Sequence, residues 1–242
     1  MLGHMSFDLK CEGSAMESFS QQPKNKLDVL HNVERRSFGA WFDTIPGKLE
    51  DPQAVASAYA NLAHAPSGDS YIRFVTLELS RGDCERLHSS YIQFIRSQAY
   101  LHYNLSLHYA AENDGEKIGG VCSGLTWDFL SSNQLPDRIN QVLARQNLDL
   151  RLARQWFRSF YVPLGAIDVG YDKVLKDRSL RFCRDNCDPS FFRKIEFVDP
   201  AYAYDWLDRL KREMRGDNDC LREESIGHST NVVFDLSSPQ CR

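Results

Sequence analysis

Hydrophobic residues along this chain change period several times, and each change marks an element. Leu27, Leu30 and Val33 recur at three, a helical spacing, ahead of an aromatic loop from Phe38 to Pro46 that carries Trp41 and Phe42. Asp51-Pro52 is a helix start, a capping carboxylate before a proline at the first helical position, and Pro66-Ser67-Gly68 ends that helix after His64. Tyr71 to Leu79 is rich in β-formers and predicts a strand. Asp83 is expected to cap the next helix, with Leu87, Tyr91, Phe94 and Ile95 on one side. The clearest alternation follows: Leu101, Tyr103, Leu105, Leu107 and Tyr109 against His102, Asn104, Ser106 and His108, a half-buried strand with a hydrophilic face.

After the Asn113-Asp114-Gly115 turn and Gly119-Gly120, the pattern turns helical at Cys122, with Leu125 and Phe129 four apart and Leu130 beside them. Helices are expected over 136–146 (Ile139, Val142, Leu143), over 148–160 (Leu152, Trp156, Phe160), and in the basic segment 171–184. Ile195–Val198 reads as a short strand, and 201–215 as a helix turning Trp206, Leu207, Leu210 and Met214 inward. Ile226 to Leu236 reads as a terminal strand or hairpin. The order predicts an α+β domain whose cysteine helix packs against a sheet drawn mainly from the late strands. Residues 1–26, polar and irregular, are expected to be a disordered leader, leaving 27–242 as a single α+β catalytic domain.

Composition narrows the functional classes. A net charge of -4 gives no reason to expect nucleic-acid binding, and no apolar run approaches the length of a membrane span. No secretory signal opens the sequence, and no cofactor is implied. Seven scattered cysteines, an odd number, suggest a reduced, cytoplasmic chain rather than a disulfide scaffold. His102 and His108 stand too far apart along a strand, roughly 20 Å, to share one ion.

Candidate chemistry centres on Cys122. At the first turn of a buried helix, unpaired N–H groups and the positive end of the dipole favour a thiolate, and the Cys122 amide can hold an oxyanion. A second oxyanion donor is Asn113 or Asn104. His228, after a glycine at the head of a β-rich run, is the candidate base. Asp235 is the candidate acid, with Asp199 and Asn231 as alternatives to orient the imidazole. On one continuous strand, His228 and Asp235 would face opposite ways about 23 Å apart. A two-residue turn at Thr230-Asn231 would make them diagonal neighbours on one face. Competing readings are a zinc module using Cys183, Cys187, Cys220 and His228, and a non-catalytic interaction protein presenting Trp41-Phe42.

The segment GGVCSGLTWDFL resembles the nucleophile motif of the YopT-type papain-like cysteine proteases, bacterial effectors delivered into host cells by type III secretion. Ile226-Gly227-His228-Ser229 is similar to their Gly-His-Ala strand, and Val233-Phe234-Asp235 to their acid-bearing Phe-Phe-Asp. The resemblance covers two islands of the chain. It implies a papain-like fold with a central cysteine helix against an antiparallel sheet, and thiol proteolysis of a host protein by Cys122, His228 and Asp235. It also implies delivery to the host cytoplasm with the polar leader as export signal. Acyl transfer or deamidation would use the same atoms.

Overall fold

The computed structural model describes residues 4–24, 45–67, 72–103, 122–150, 152, 157–163, 192–198, 200–214, 216 and 218–241. Its described elements are of mixed α+β type. The strands are β1 (Phe7–Leu9), β2 (Glu17–Phe19), β3 (Gln21–Pro23), β4 (Ile45–Leu49), β5 (Arg73–Glu78), β6 (His102–Tyr103), β7 (Phe157–Pro163), β8 (Phe192–Val198), β9 (Leu221–Ile226) and β10 (Ser229–Asp235). The helices are α1 (Pro52–His64), α2 (Arg81–Arg96), α3 (Cys122–Ser132), α4 (Leu135–Arg145) and α5 (Pro200–Glu213). Among the described residues, no helix is long and apolar enough to cross a membrane.

Local chemistry explains several of these starts. The Asp51 carboxylate accepts from the Gln53 amide while Pro52 opens α1, as the dipeptide predicts. Asp83, however, is not the cap of α2. Ser80 takes that role, its hydroxyl accepting from the Asp83 amide and donating back to the Asp83 carboxylate. The acid lies in the first turn, where the positive end of the helix favours it.

β10 is the central strand of a mixed sheet. It runs antiparallel to β9, with Ser229 opposite Ile226, and parallel to β5, with Val232 opposite Val75. A wholly antiparallel sheet is therefore not what forms. Val232, Val233 and Phe234 are completely buried. A continuous apolar run of this kind suits a strand covered on both faces.

The main core joins this sheet to α4 and α5 through Ile139, Val142, Leu143, Trp206, Leu210 and Leu221, with Trp127 of α3 among them. A second core lies on another side of α3, where Leu125 and Phe129 meet Leu9, Phe19, Leu87 and Tyr91. The cysteine helix thus belongs to both cores. Phe7 stacks on Phe129 with ring centroids 4.5 Å apart.

Three expectations are corrected here. Residues 4–24, read as part of a disordered leader, form β1, β2 and β3, with Leu9 and Phe19 buried. Burying a side chain of this size contributes roughly 2 kcal/mol, which local polarity does not reveal. The helix expected over 148–160 gives way to β7, which pairs antiparallel with β8 from Phe157–Val198 to Pro163–Phe192. Aromatic and β-branched residues in Phe157–Val162 suit that pairing. Finally, the cysteines are not all reduced: Cys11 bonds to Cys84 and Cys220 to Cys241. Partners 73 residues apart leave no sequence signature, because only packing of the β1–β2 hairpin on α2 brings them together.

Of the remaining expectations, Leu101 falls in a short 3-10 turn and is 38% exposed rather than inward. His102 and Tyr103 form β6, the histidine exposed and the tyrosine half-buried as the alternation predicts. Residues 104–109 of that segment, the helices at 27–36 and 171–184, and the Trp41-Phe42 loop lie outside the described residues.

Candidate functional site

Cys122 is the first residue of α3, is 5% exposed, and is the free cysteine among the described residues. Three backbone amides lie near enough to its sulfur to favour its charged form: its own, that of Ser123, and that of Met5 from the N-terminal segment. The first two come from the helix start, where N–H groups lack intrahelical acceptors. Burial has the larger influence and pushes the thiol above its ordinary range, with the Glu50 carboxylate acting in the same direction and the amides opposing. The resting group is therefore a thiol surrounded by donors suited to a thiolate or an oxyanion.

Two phenols and a polar cluster flank it. Burial is the main cause of the raised values of Tyr59 of α1 and Tyr103 of β6, Tyr103 reaching about 12, and both lie within electrostatic reach of Cys122, whose thiolate would raise them further. The Ser6 hydroxyl donates to the Tyr59 hydroxyl at 2.7 Å. His4 Nε2 lies 2.8 Å from Ser20 Oγ and 3.4 Å from Glu50 Oε2, and Ser20 Oγ donates to that same carboxylate oxygen. Burial lowers the His4 pKa, partly offset by Glu50, so this imidazole is neutral and able to accept a proton. One turn below the cysteine, the buried Thr126 hydroxyl has no hydrogen-bond partner among the described residues.

His228 occupies a different setting. The β9–β10 turn falls at Gly227-His228, not at Thr230-Asn231. Gly227 has φ +61, and a Cβ there would meet the Ala63 carbonyl oxygen at 2.5 Å, so both conformation and space call for glycine. The His228 amide donates to that carbonyl at 2.6 Å, and the residue is exposed. Helix α1 links this turn to the thiol. Tyr59 lies within electrostatic reach of Cys122, and Ala63, one helical turn further, anchors His228.

The acid expected at Asp235 is not brought to His228. With the turn at Gly227-His228, β10 is continuous, and Asp235 ends it about 23 Å from His228 along the strand. Burial raises the Asp235 pKa, but the hydroxyl and amide of Ser237, the amide of Ser238 and the Arg222 charge outweigh it and hold the carboxyl low. It serves as a turn residue, accepting from Ser237 at 2.6 Å and 2.7 Å. Asn231, the buried alternative, accepts from Thr76 Oγ1 at 3.0 Å across the parallel pair. Asp199, Asn104 and Asn113 lie outside the described residues.

The zinc set also fails as written, because Cys220 is bonded to Cys241; Cys183 and Cys187 are outside the described residues. What the sequence reading overlooked is the contribution of His4, Met5, Ser6, Ser20 and Glu50 to the surroundings of the thiol. A signal existed: Phe7, Leu9 and Cys11 alternate with Asp8 and Lys10, the pattern of a half-buried strand. Comparison of the chain with protein-family models, curated proteins and solved structures finds no match.

Proposed function

We propose that this protein is a cysteine-dependent hydrolase of the papain-like protease type, with Cys122 as nucleophile. The observation that supports it most is a buried free sulfur at a helix start, where nearby backbone amides favour its charged form. With its proton passed to the base, the sulfur would attack a peptide carbonyl to form a tetrahedral oxyanion, and collapse would expel the amine as it takes up that proton. Water would then resolve the acyl-enzyme. Amides of this kind stabilise the developing negative charge without reorganising. Because burial keeps the thiol protonated, a base is required.

The base on this reading is His228, whose anchor on Ala63 lies one turn of α1 from Tyr59 beside the thiol. A second reading makes it His4, favoured by its place next to Met5 and its Glu50 partner. The YopT-type resemblance supports a host protein as substrate. The two disulfides favour oxidising surroundings over delivery to a reducing cytosol.

An epoxysuccinyl peptide probe tests the chemistry on the whole chain with its disulfides intact. The expected result is one adduct, at Cys122, absent from Cys122→Ala. Loss of that adduct in His228→Ala selects the first base, and loss in His4→Ala the second. No adduct in the parent chain, or full labelling in both histidine variants, overturns the hydrolase reading.

A further inference from the structure

A second polar site lies at the opposite end of α3. A cavity of about 410 Å³ is lined by Asp83 and Arg86 of α2, Asn133 and Gln134 of the α3–α4 turn, and Arg138 and Gln141 of α4. Its size falls within the range of small-molecule sites, yet its walls are mostly polar. An apolar ligand would gain little there.

The charges are organised around one carboxylate. The Asp83 side chain is 5% exposed, and it accepts from Nη2 of Arg86 and, at 3.1 Å, from Nη2 of Arg138. Arg138 Nη2 also donates to the Leu236 carbonyl oxygen at 2.9 Å. One buried anion thus holds two guanidinium groups beside the same cavity, leaving these three side chains with a net charge of +1. The Nε and Nη1 donors of both arginines have no partner among the described residues. Guanidinium donors presented in a fixed fork match the paired oxygens of a carboxylate or phosphate.

The backbone favours the same sign. Gln134, at φ 57, precedes α4 and makes no side-chain cap, so the positive end of α4 opens beside the cavity. The negative end of α3 is masked there, because the amide and the side chain of Asn133 both donate to the Phe129 carbonyl.

We infer that the cavity between the start of α2, the α3–α4 turn and the start of α4 binds a small oxyanion, a carboxylate or phosphate monoester carried on a polar body. Arg86 is the selective contact, since its side chain is 76% exposed and only its Nη2 is engaged. Arg138 is the fixed one, pinned by Asp83 and Leu236. This site does not depend on the proposed hydrolase chemistry.

Calorimetric titration of the whole, oxidised chain with inorganic phosphate and, separately, with acetate tests the inference, chloride at matched ionic strength serving as the blank. Saturable one-site binding is expected for at least one of the two, and the tighter arm identifies the oxyanion class. Arg86→Gln should weaken it about tenfold or more, the loss of one charge-assisted contact. Arg86→Lys, which keeps the charge without the fork, should fall between. Arg81→Gln, which removes a surface partner of Glu85 on the same helix, should leave it unchanged. Cys122→Ser should bind as the parent does, which separates failure here from failure of the hydrolase reading. Heats no larger than the chloride blank in both arms, or parent-like binding by Arg86→Gln, overturn the oxyanion site.

Discussion

At the amino end of α3 a sulfur near backbone amides is kept neutral by burial; at its carboxyl end, an 11-residue helix away, a buried carboxylate gathers two permanently charged guanidinium groups. The first arrangement stores no charge at rest. Its donors gain most when a proton leaves the thiol or an oxyanion forms beside it, which suits a reacting centre. The second carries its charge permanently, which suits recognition of something already anionic. One end of α3 thus holds a buried group without a counter-ion, and the other abuts a buried carboxylate of α2 that two guanidinium groups compensate.

The largest way to break this contrast is to remove the bond that spans it. Cys11 belongs to the N-terminal layer that packs on α3, and Cys84 is the neighbour of Asp83. Closing a loop of 73 residues stabilises by about 4 kcal/mol through lost unfolded-state entropy. The Cys11→Ser, Cys84→Ser double variant should lose about that much in urea unfolding. A loss below about 1 kcal/mol would show that the N-terminal layer holds without its covalent tie.

A smaller effect is expected at the charged end alone. Asp83→Ala leaves Arg138, 23% exposed, without its buried counter-ion while the mostly exposed Arg86 is released to water. The cost should be about 2–3 kcal/mol, below that of breaking a fully buried pair because one partner is solvated. Stability within about 0.5 kcal/mol of the parent would mean that the carboxylate does not organise the cavity.

The least disruptive test concerns the neutral end. Because burial raises the Cys122 pKa, alkylation by iodoacetamide should be slower at pH 7 than for an unhindered cysteine, and its rate should still be climbing above pH 9. A raised thiol pKa means a smaller thiolate fraction at every pH below it, so the profile moves upward. A rate already level near pH 7 would instead reveal a thiolate stabilised at rest, and the contrast between the two ends would collapse.

Some of this was legible from local pattern. Asp51-Pro52 marks the start of α1, the spacing of Leu125 and Phe129 marks a buried helix from Cys122, and Ile139, Val142 and Leu143 mark α4. These features follow from propensities and periods within a few residues of one another, and a linear reading contains them. The position of Cys122 at a helix start is of the same kind.

Tertiary packing decided the rest. Gly227 had to approach the Ala63 carbonyl, so the hairpin turned there and carried Asp235 to the far end of β10. Phe157–Val162 became a strand because Phe192–Val198 was available to pair with it. Met5 reached the thiol, and Cys11 reached Cys84, because a hairpin that looked too polar to fold found an aromatic face on α2 and α3 to cover. Such choices depend on free energies shared between segments far apart in the chain, which composition and period do not encode one segment at a time.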